Sequence, residues 1–244
     1  MITAPLFELR RHGFSTRVGG VSQGTYASLN LGDKWGDDAA AVNANMQTIA
    51  AEGRFARDKL FVVEQVHGRE VVTLSGSESA ADVRAMQADA IVTRAPGLVL
   101  GVRTADCVPI LLADAEGRVA AVHAGWRGTA AGVVSAAIDA LVALGANPDS
   151  IIAAVGPAIC ARCFEVGEEV ADQFTQVAPA AIAREPGKKP HIDLAAANHL
   201  QLLDGGISPT HIWRSGRCTM HEPTDFYSYR RDGKTGQHLA FICS

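Results

Sequence analysis

Short runs of apolar residues, many of them β-branched, recur along the chain between glycines and polar residues. Runs of this length and composition indicate β-strands, and those with almost no polar interruption are typical of strands buried on both faces. The pattern predicts strands at 60–65, 70–74, 89–93, 98–103, 108–113, 119–122, 151–155 and 239–243.

Other segments carry apolar residues at the spacing of an amphipathic helix. This spacing predicts helices at 37–51, 130–144, 166–177 and 193–203. Asp37 or Asp38 is expected to be the N-cap of the first helix, and Thr129 the N-cap of the second, because short polar side chains satisfy free backbone N–H groups there.

Strands interleaved with helices predict an α/β (α+β) fold in which a mixed β-sheet is flanked by helices. The nearest approach to a domain boundary is 184–190, a loop rich in Pro and Lys that is too short to separate two domains. The sequence therefore predicts a single domain over residues 1–244.

The composition, with 48% hydrophobic and 20% charged residues, excludes a disordered or fibrous chain. No apolar run reaches the roughly 18 residues of a membrane helix, and the first residues carry no apolar stretch typical of a secretory signal. A net charge of −4 argues against a nucleic-acid partner. Five cysteines, an odd number, argue against a disulfide scaffold. We therefore expect a cytoplasmic protein without a membrane or nucleic-acid partner.

Three strand ends carry reactive side chains, in the motifs QVHG (65–68), TADC (104–107) and HAGWRGT (123–129). Side chains at strand ends are held rigidly and can face a cleft. Two imidazoles and one thiolate are donors that zinc accepts, with a fourth position left for water or substrate. His67, Cys107 and His123 are therefore candidate ligands of a zinc ion that would lower the pKa of a bound water.

The same residues allow other interpretations, because the three candidate ligands are far apart in the sequence. Each can be an ordinary packed side chain. Cys107 can also be a nucleophile with His123 as its base, which would make the protein an amidase or deamidase. The CxxC at 160–163 has no second pair at zinc-ribbon spacing, so Cys160 and Cys163 are interpreted as incidental thiols, with a redox or partner-binding module as the alternative.

Two loops that contain glycine and arginine are candidate anion sites. In 123–129, two glycines and Arg127 precede a predicted helix, so backbone N–H groups and a guanidinium converge there. The loop 15–20 places Arg17 close to two glycines. Either loop is equally well a tight turn with a solvated arginine.

Segments spread over nearly the whole chain resemble one family. They are HGFSTRVGGVSQGTYASLNLG, QVHG, ADAIVT, TADCVPILLAD, HAGWRG, GPAIC, CFEVG and FYSYRRDGKTGQ. The set is similar to that of the laccase-domain proteins, bacterial proteins long labelled multicopper polyphenol oxidases, and TADC followed by HAGWRG is a very specific pair. The resemblance implies a mixed α/β fold. It also implies a purine nucleoside phosphorylase that deaminates adenosine and cleaves methylthioadenosine.

The metal ligands of that family correspond to His67, Cys107 and His123. The resemblance thus implies a Zn²⁺ site that serves two reactions. In one, phosphate would attack C1′ of the ribose in adenosine, inosine, guanosine or methylthioadenosine. In the other, a zinc-bound hydroxide would attack C6 of adenosine.

Further residues are expected to assist the reaction. Asp106 precedes Cys107 and is expected to orient a ligand or carry a proton, with a capping role as the alternative. Arg17, Asn45 and Arg127 are expected to bind substrate.

The chain departs from the family pattern at three places, none of them a proposed metal ligand. Met46 follows Asn45 where the family commonly has Arg, Arg217 stands before Cys218 where Asp is frequent, and Cys160 replaces a common Gly. The first two departures affect the expected substrate contacts outside the metal site.

The older copper label conflicts with the histidine pattern. A multicopper oxidase needs a trinuclear cluster and a separate electron-transfer site, hence many paired histidines. This chain has eight histidines and no HxH pair. The three candidate ligands can still bind Cu²⁺ in vitro, because copper outcompetes zinc at such donors. A copper-dependent polyphenol oxidase is therefore kept as an alternative function.

Overall fold

A computed structural model describes residues 1–7 and 10–244 of the chain. It confirms the predicted mixture of strands and helices. The strands are β1 His12–Phe14, β2 Leu60–Phe61, β3 Val71–Leu74, β4 Ala90–Thr93, β5 Val99–Thr104, β6 Val108–Ala113, β7 Val119–Ala124, β8 Ile152–Val155, β9 Ile182–Ala183, β10 His191–Ile192, β11 Ile212–Arg214 and β12 His238–Cys243. The α-helices are α1 Ala39–Glu52, α2 Ala80–Arg84, α3 Trp126–Ala131, α4 Val133–Ala143, α5 Glu168–Phe174, α6 Leu194–Asp204 and α7 Tyr229–Asp232.

Most of these strands form two mixed sheets. The six-stranded sheet has the order β11-β8-β6-β7-β4-β3, in which the two outermost pairs are parallel and the inner pairs antiparallel. The four-stranded sheet has the order β1-β12-β5-β2, in which β2 runs parallel to β5. β9 and β10 pair as a small antiparallel hairpin around the predicted loop 184–190.

The two sheets pack face to face, and helices cover their outer faces. Along β6, Ile110 and Leu112 belong to the apolar layer under α4 and α6, whereas Leu111 belongs to the layer between the sheets. On β12, Phe241 faces away from that layer and packs with Ile49 of α1. Because the central strands are buried on both faces, their sequences are almost wholly apolar, which is why the apolar runs predicted them well.

The helix predicted over 130–144 with Thr129 as its N-cap is wrong in its start and its continuity. The chain forms α3 and α4 there, separated by Gly132, whose φ of +81° is a left-handed conformation that ends a helix. Gly125 is the N-cap of α3. Thr129 is buried inside α3, where its Oγ1 accepts a hydrogen bond of 3.0 Å from Asn198.

The strand predicted at 108–113 is β6 with the same ends, and the other predicted elements are present with altered ends. The strand predicted at 60–65 is limited to β2, and the helix predicted at 166–177 to α5. Asp38 is the N-cap of α1, accepting a hydrogen bond of 2.9 Å from the N–H of Ala40. Contacts between strands of the two sheets support the predicted single domain. Within the described part of the chain, no helix combines the length and apolar character needed to cross a bilayer.

Candidate active site and metal centre

Three side chains that are distant in the sequence meet at one end of the six-stranded sheet. His67 lies in the loop before β3, Cys107 in the turn between β5 and β6, and His123 on β7. Their ligand atoms all lie within 4.8 Å of one another, and Cys107 Sγ is 3.9 Å from His67 Nε2. The structure therefore brings together the three metal ligands predicted from the sequence.

A glycine beside the three ligands permits this close approach. The register of β6 and β7 pairs Val108 with Ala124, so the next residue, Gly125, lies against Cys107. A Cβ on Gly125 would be 2.8 Å from His67 Cδ2 and 3.1 Å from Cys107 Sγ. Any side chain here would displace the ligands, so the first glycine of HAGWRG is required by the site itself.

Asp89 is completely buried and binds two of the three ligands. Its Oδ1 is 2.7 Å from His123 Nδ1 and accepts a hydrogen bond of 3.0 Å from the backbone N–H of His67. Its Oδ2 accepts a hydrogen bond from the N–H of Gly68. Burial raises the pKa of Asp89, but the hydrogen bond and charge of His123, with the backbone donors, lower it overall. An ionised carboxylate can only accept hydrogen bonds, so Nδ1 of His123 is the donor to Asp89. In the neutral imidazole, Nε2 then keeps its lone pair for a metal.

Cys107 and His123 form an electrostatically coupled pair. Burial opposes ionisation of the thiol, but the charge of His123 and hydrogen bonds from both histidines lower the pKa of Cys107 to about 6. Burial also opposes protonation of His123, but Cys107 and Asp89 raise its pKa to about 9. Without a metal, the pair is therefore a thiolate and an imidazolium near neutral pH. The thiolate is the form of cysteine that binds zinc and also the form that acts as a nucleophile.

The three ligands lie in the wall of a cavity of about 810 Å³, a volume that suits a small-molecule substrate. Aromatic side chains provide planar, apolar surface on the cavity wall. They are Trp35, Trp126, Phe164 and Tyr229. Cationic side chains are also present, namely Lys34, Arg103, Arg127, Lys189 and Arg230. The cavity therefore combines surfaces for a flat ring with positive charge for an anion.

Two of the arginines are held over aromatic rings. Arg127 Cζ lies 4.2 Å from the ring centroid of Trp126, and Arg230 Cζ lies 4.9 Å from that of Phe164. Arg230 also donates a hydrogen bond of 2.7 Å to the carbonyl of Glu165. Within residues 1–7 and 10–244, Arg127 forms no ion pair, so its charge is available to an anion in the cavity.

Asp106 also lines the cavity, but its carboxylate binds the protein. Oδ1 accepts a hydrogen bond of 2.6 Å from Thr219 Oγ1, and Oδ2 accepts one of 2.7 Å from the backbone N–H of Arg230. Asp106 has a φ of +97°, which residues with a side chain rarely adopt. These contacts correspond to the capping alternative, and a proton-carrying role for Asp106 stays a prediction.

Arg17 and Asn45 do not line this cavity. The guanidinium of Arg17 donates to the carbonyl of Ala27 at 2.8 Å, and the completely buried Asn45 donates to Ser22 Oγ at 2.8 Å. Both side chains hold their own loops in place. That Arg17 and Asn45 bind substrate stays a prediction, and neither lies at the cavity, whereas Arg127 does.

Sequence reasoning missed three residues that the structure singles out. Asp89 is the second residue of the segment ADAIVT, and a carboxylate directly before an otherwise apolar buried strand was the available signal. The interpretation of Cys160 and Cys163 as incidental thiols left out Cys218 and His221, which the structure places beside them. The C-x₂-H spacing at 218–221 was the signal for that second cluster.

Comparison with known proteins identifies the family. Residues 11–244 match the model of the family described as multi-copper polyphenol oxidoreductase laccase. Because the match spans almost the whole chain, the protein belongs to this family, which confirms the resemblance found in the sequence.

Similar proteins carry names of enzymes that act on nucleosides. The chain is 44% identical to a purine nucleoside phosphorylase from Deinococcus radiodurans, across 99% of this chain and 94% of the relative. It is 40% identical to adenosine deaminase RL5 from an unknown prokaryotic organism, across 90% of this chain and 88% of the relative. The crystal structure of YlmD from Geobacillus stearothermophilus superposes with a TM-score of 0.91 at 36% identity, covering 98% of this chain and 93% of that one.

Proposed function

We propose that the protein is a zinc-dependent purine nucleoside phosphorylase that also deaminates adenosine. The observation that carries the proposal is the cluster of His67, Cys107 and His123 in the wall of a cavity that also presents aromatic rings and cations. The relatives named purine nucleoside phosphorylase and adenosine deaminase support the same two reactions and indicate that this protein is an enzyme. The proposed substrates are adenosine, inosine, guanosine and methylthioadenosine, with phosphate.

The donor set fits a zinc ion. One thiolate and two imidazoles are typical zinc ligands, and a carboxylate that orients a ligating histidine is a typical neighbour of such sites. Asp89 fills that role for His123, and the space that Gly125 leaves open is the space the ligands occupy. When bound, zinc would supply positive charge and Lewis-acid polarisation beside the substrate.

In phosphorolysis, a phosphate oxygen forms a bond to C1′ of the ribose while the bond from C1′ to N9 of the purine breaks. The purine leaves with the bonding electrons and takes up a proton, which balances the proton that the attacking phosphate loses. Arg127 and Arg230 are placed to hold phosphate, since guanidinium groups bind it through paired hydrogen bonds. Trp126 and Phe164, beneath these arginines, keep the guanidinium planes in position and exclude water.

In deamination, water adds to C6 of adenosine and ammonia leaves. This reaction uses no phosphate, so it depends on the aromatic wall and on the three ligands but not on the cations that hold phosphate. Trp35 and Tyr229, whose ring centroids lie 5.5 Å apart, offer a surface on which a purine can stack. The two reactions are therefore separable by mutation.

The proposal is tested by chromatography of adenosine after incubation with zinc-loaded protein, with and without phosphate. We expect adenine and ribose 1-phosphate only when phosphate is present. Deamination should give inosine without phosphate, and inosine together with hypoxanthine when phosphate is present. A His123→Ala variant should carry out neither reaction, while His191→Ala, changed on the β9–β10 hairpin, should carry out both. Adenosine recovered unchanged at high enzyme concentration would contradict the proposal.

An amidase or deamidase that uses Cys107 is the second candidate, and the lowered pKa of its thiol favours it. This function predicts that iodoacetamide inactivates the zinc-free protein and that zinc is not needed for turnover. The phosphorylase proposal predicts instead that zinc both restores activity and protects Cys107 from alkylation. Measuring alkylation by mass spectrometry with and without zinc distinguishes the two.

A copper-dependent polyphenol oxidase is not favoured, although the family name suggests it. Among the described residues, the two clusters of metal-ligand type contain three histidines, namely His67, His123 and His221. That number is far below what a trinuclear copper cluster and a separate electron-transfer site require. The five cysteines form no disulfide, which agrees with the proposed cytoplasmic location.

A further inference from the structure

A second group of metal-ligand side chains lies outside the proposed active site. It consists of Cys160, Cys163, Cys218 and His221, whose ligand atoms all lie within 4.8 Å of one another. Cys163 Sγ is 3.1 Å from His221 Nε2, and Cys160 Sγ is 3.7 Å from His221 Nδ1. We call this group the Cys₃His cluster.

The spacing of the four residues is that of a structural zinc site. Cys160 and Cys163 form a C-x₂-C pair, in which Cys160 is the N-cap and Cys163 the last residue of a short 3₁₀ turn, while Cys218 and His221 form a C-x₂-H pair. Three cysteines and one histidine complete a tetrahedral set, which is typical of structural rather than catalytic zinc. The active-site group offers three ligands, of which one is sulfur, and so leaves a coordination position open. The Cys₃His cluster offers four ligands, of which three are sulfur.

The backbone already holds the two pairs against each other. Ala158 and Cys218 form a parallel β-bridge, and the N–H of Thr219 donates to the carbonyl of Ala158 at 3.1 Å. The N–H of Cys160 points at Cys218 Sγ, 3.3 Å away. A backbone N–H that donates to sulfur stabilises a thiolate, which is the protonation state that binds a metal.

We propose that the Cys₃His cluster binds one zinc ion and thereby fastens one wall of the active-site cavity. The segment with Cys163 continues into Phe164, which lines the cavity. The segment with Cys218 continues into Thr219, which holds Asp106 by a hydrogen bond of 2.6 Å. The proposal does not depend on the reaction that the cavity catalyses.

The three thiols can instead be oxidised or remain free, and the experiment separates these states. A His67→Ala/Cys107→Ala double variant leaves the Cys₃His cluster untouched while removing two ligands of the other site. Purified from zinc-supplemented cells, it should retain about one zinc per chain, compared with about two in the unaltered protein. X-ray absorption of that remaining zinc should show about three sulfur ligands.

Variants in the cluster complete the test. Cys163→Ser should remove the retained zinc from the double variant, while Arg162→Ala, a neighbour in the same turn, should keep it. X-ray absorption is measured on the double variant, in which the Cys₃His cluster is unchanged. Poor folding of Cys163→Ser would therefore not affect that measurement. A double variant without zinc, a zinc with one sulfur ligand or none, or a Cys160–Cys163 disulfide found by mass spectrometry would overturn the proposal.

Discussion

Asp89 Oδ1 lies 2.7 Å from Nδ1 of His123, and both residues are buried. The same oxygen accepts the backbone N–H of His67, so one carboxylate positions two of the three proposed zinc ligands. Its pKa is lowered against the effect of burial, so Asp89 is ionised when it does this. The proposed metal ligands are therefore held in place by a residue that is not itself one of them.

Asp89→Asn is expected to weaken zinc binding by about 10- to 100-fold, the range found for partners of metal-ligating histidines. The new amide N–H₂ would face the N–H of Gly68, which now donates to Oδ2. Competition with a chromophoric chelator measures the affinity. Asp139→Asn, exposed on α4, is the matched control and should bind zinc normally. Equal affinities in the two variants would contradict the role of Asp89.

Gly125→Ala is expected to abolish zinc binding at the active site, because the added Cβ would lie 2.8 Å from His67 and 3.1 Å from Cys107. Gly97→Ala is the control, since Gly97 has a φ of +79° and open space around it. That variant should lower Tm through backbone strain while keeping the zinc. Metal analysis and thermal melts of both variants check this prediction, and zinc retained in Gly125→Ala would contradict it.

Arg127→Ala is expected to raise the KM for phosphate by at least about 10-fold, the size expected for loss of one hydrogen bond to a charged group. Deamination should change little, because it uses no phosphate. Arg94→Ala, an exposed arginine outside the cavity, should leave both reactions unchanged. Steady-state kinetics with phosphate varied test the prediction, and equal losses of both reactions would show that Arg127 does not act through phosphate.

His238 makes folding stability sensitive to acid. Burial lowers the pKa of His238 from its ordinary 6.5 to about 3, and its Nε2 accepts the N–H of Tyr227 at 3.0 Å. Between these values the unfolded chain binds a proton that the folded chain does not. The contribution of His238 to the free energy of unfolding is therefore fully present above pH 6.5. Below that pH it decreases by about 1.4 kcal/mol per pH unit.

Urea unfolding at several pH values between 6.5 and about 4.5 measures this slope. His238→Gln removes the titrating group, so its stability should fall less steeply with acid, even if it is lower at neutral pH. His12, whose pKa is also lowered by burial, keeps part of the slope in that variant. Identical slopes for the two proteins would contradict the assignment to His238.

Short-range sequence pattern predicts the central strands of the fold best. β6 was predicted with its observed ends because both its faces are buried, so that every position is apolar. The break between α3 and α4 was missed because Gly132, which adopts a left-handed conformation, lies inside a stretch whose apolar spacing continues on both sides. Helix propensity does not record such a break.

Long-range placement of polar side chains was the harder problem. The motifs identified His67, Cys107 and His123, but Asn45 gives no sign in the sequence that it is fully buried among loop carbonyls. Cys163 meets His221 because two loops are joined by a β-bridge at Ala158, and that pairing is set by the packing of the sheet. Contacts of this kind depend on tertiary structure rather than on local pattern.

We propose that Cys107 is a zinc ligand of an active site for purine nucleosides. Zinc content and adenosine turnover of Cys107→Ala test it most directly, with Cys243→Ala, a buried thiol on β12, as the control. We expect Cys107→Ala to lose one zinc equivalent together with both phosphorolysis and deamination, while the control keeps them. A Cys107→Ala protein with full zinc content and full activity would show that Cys107 is not a ligand of a catalytic zinc.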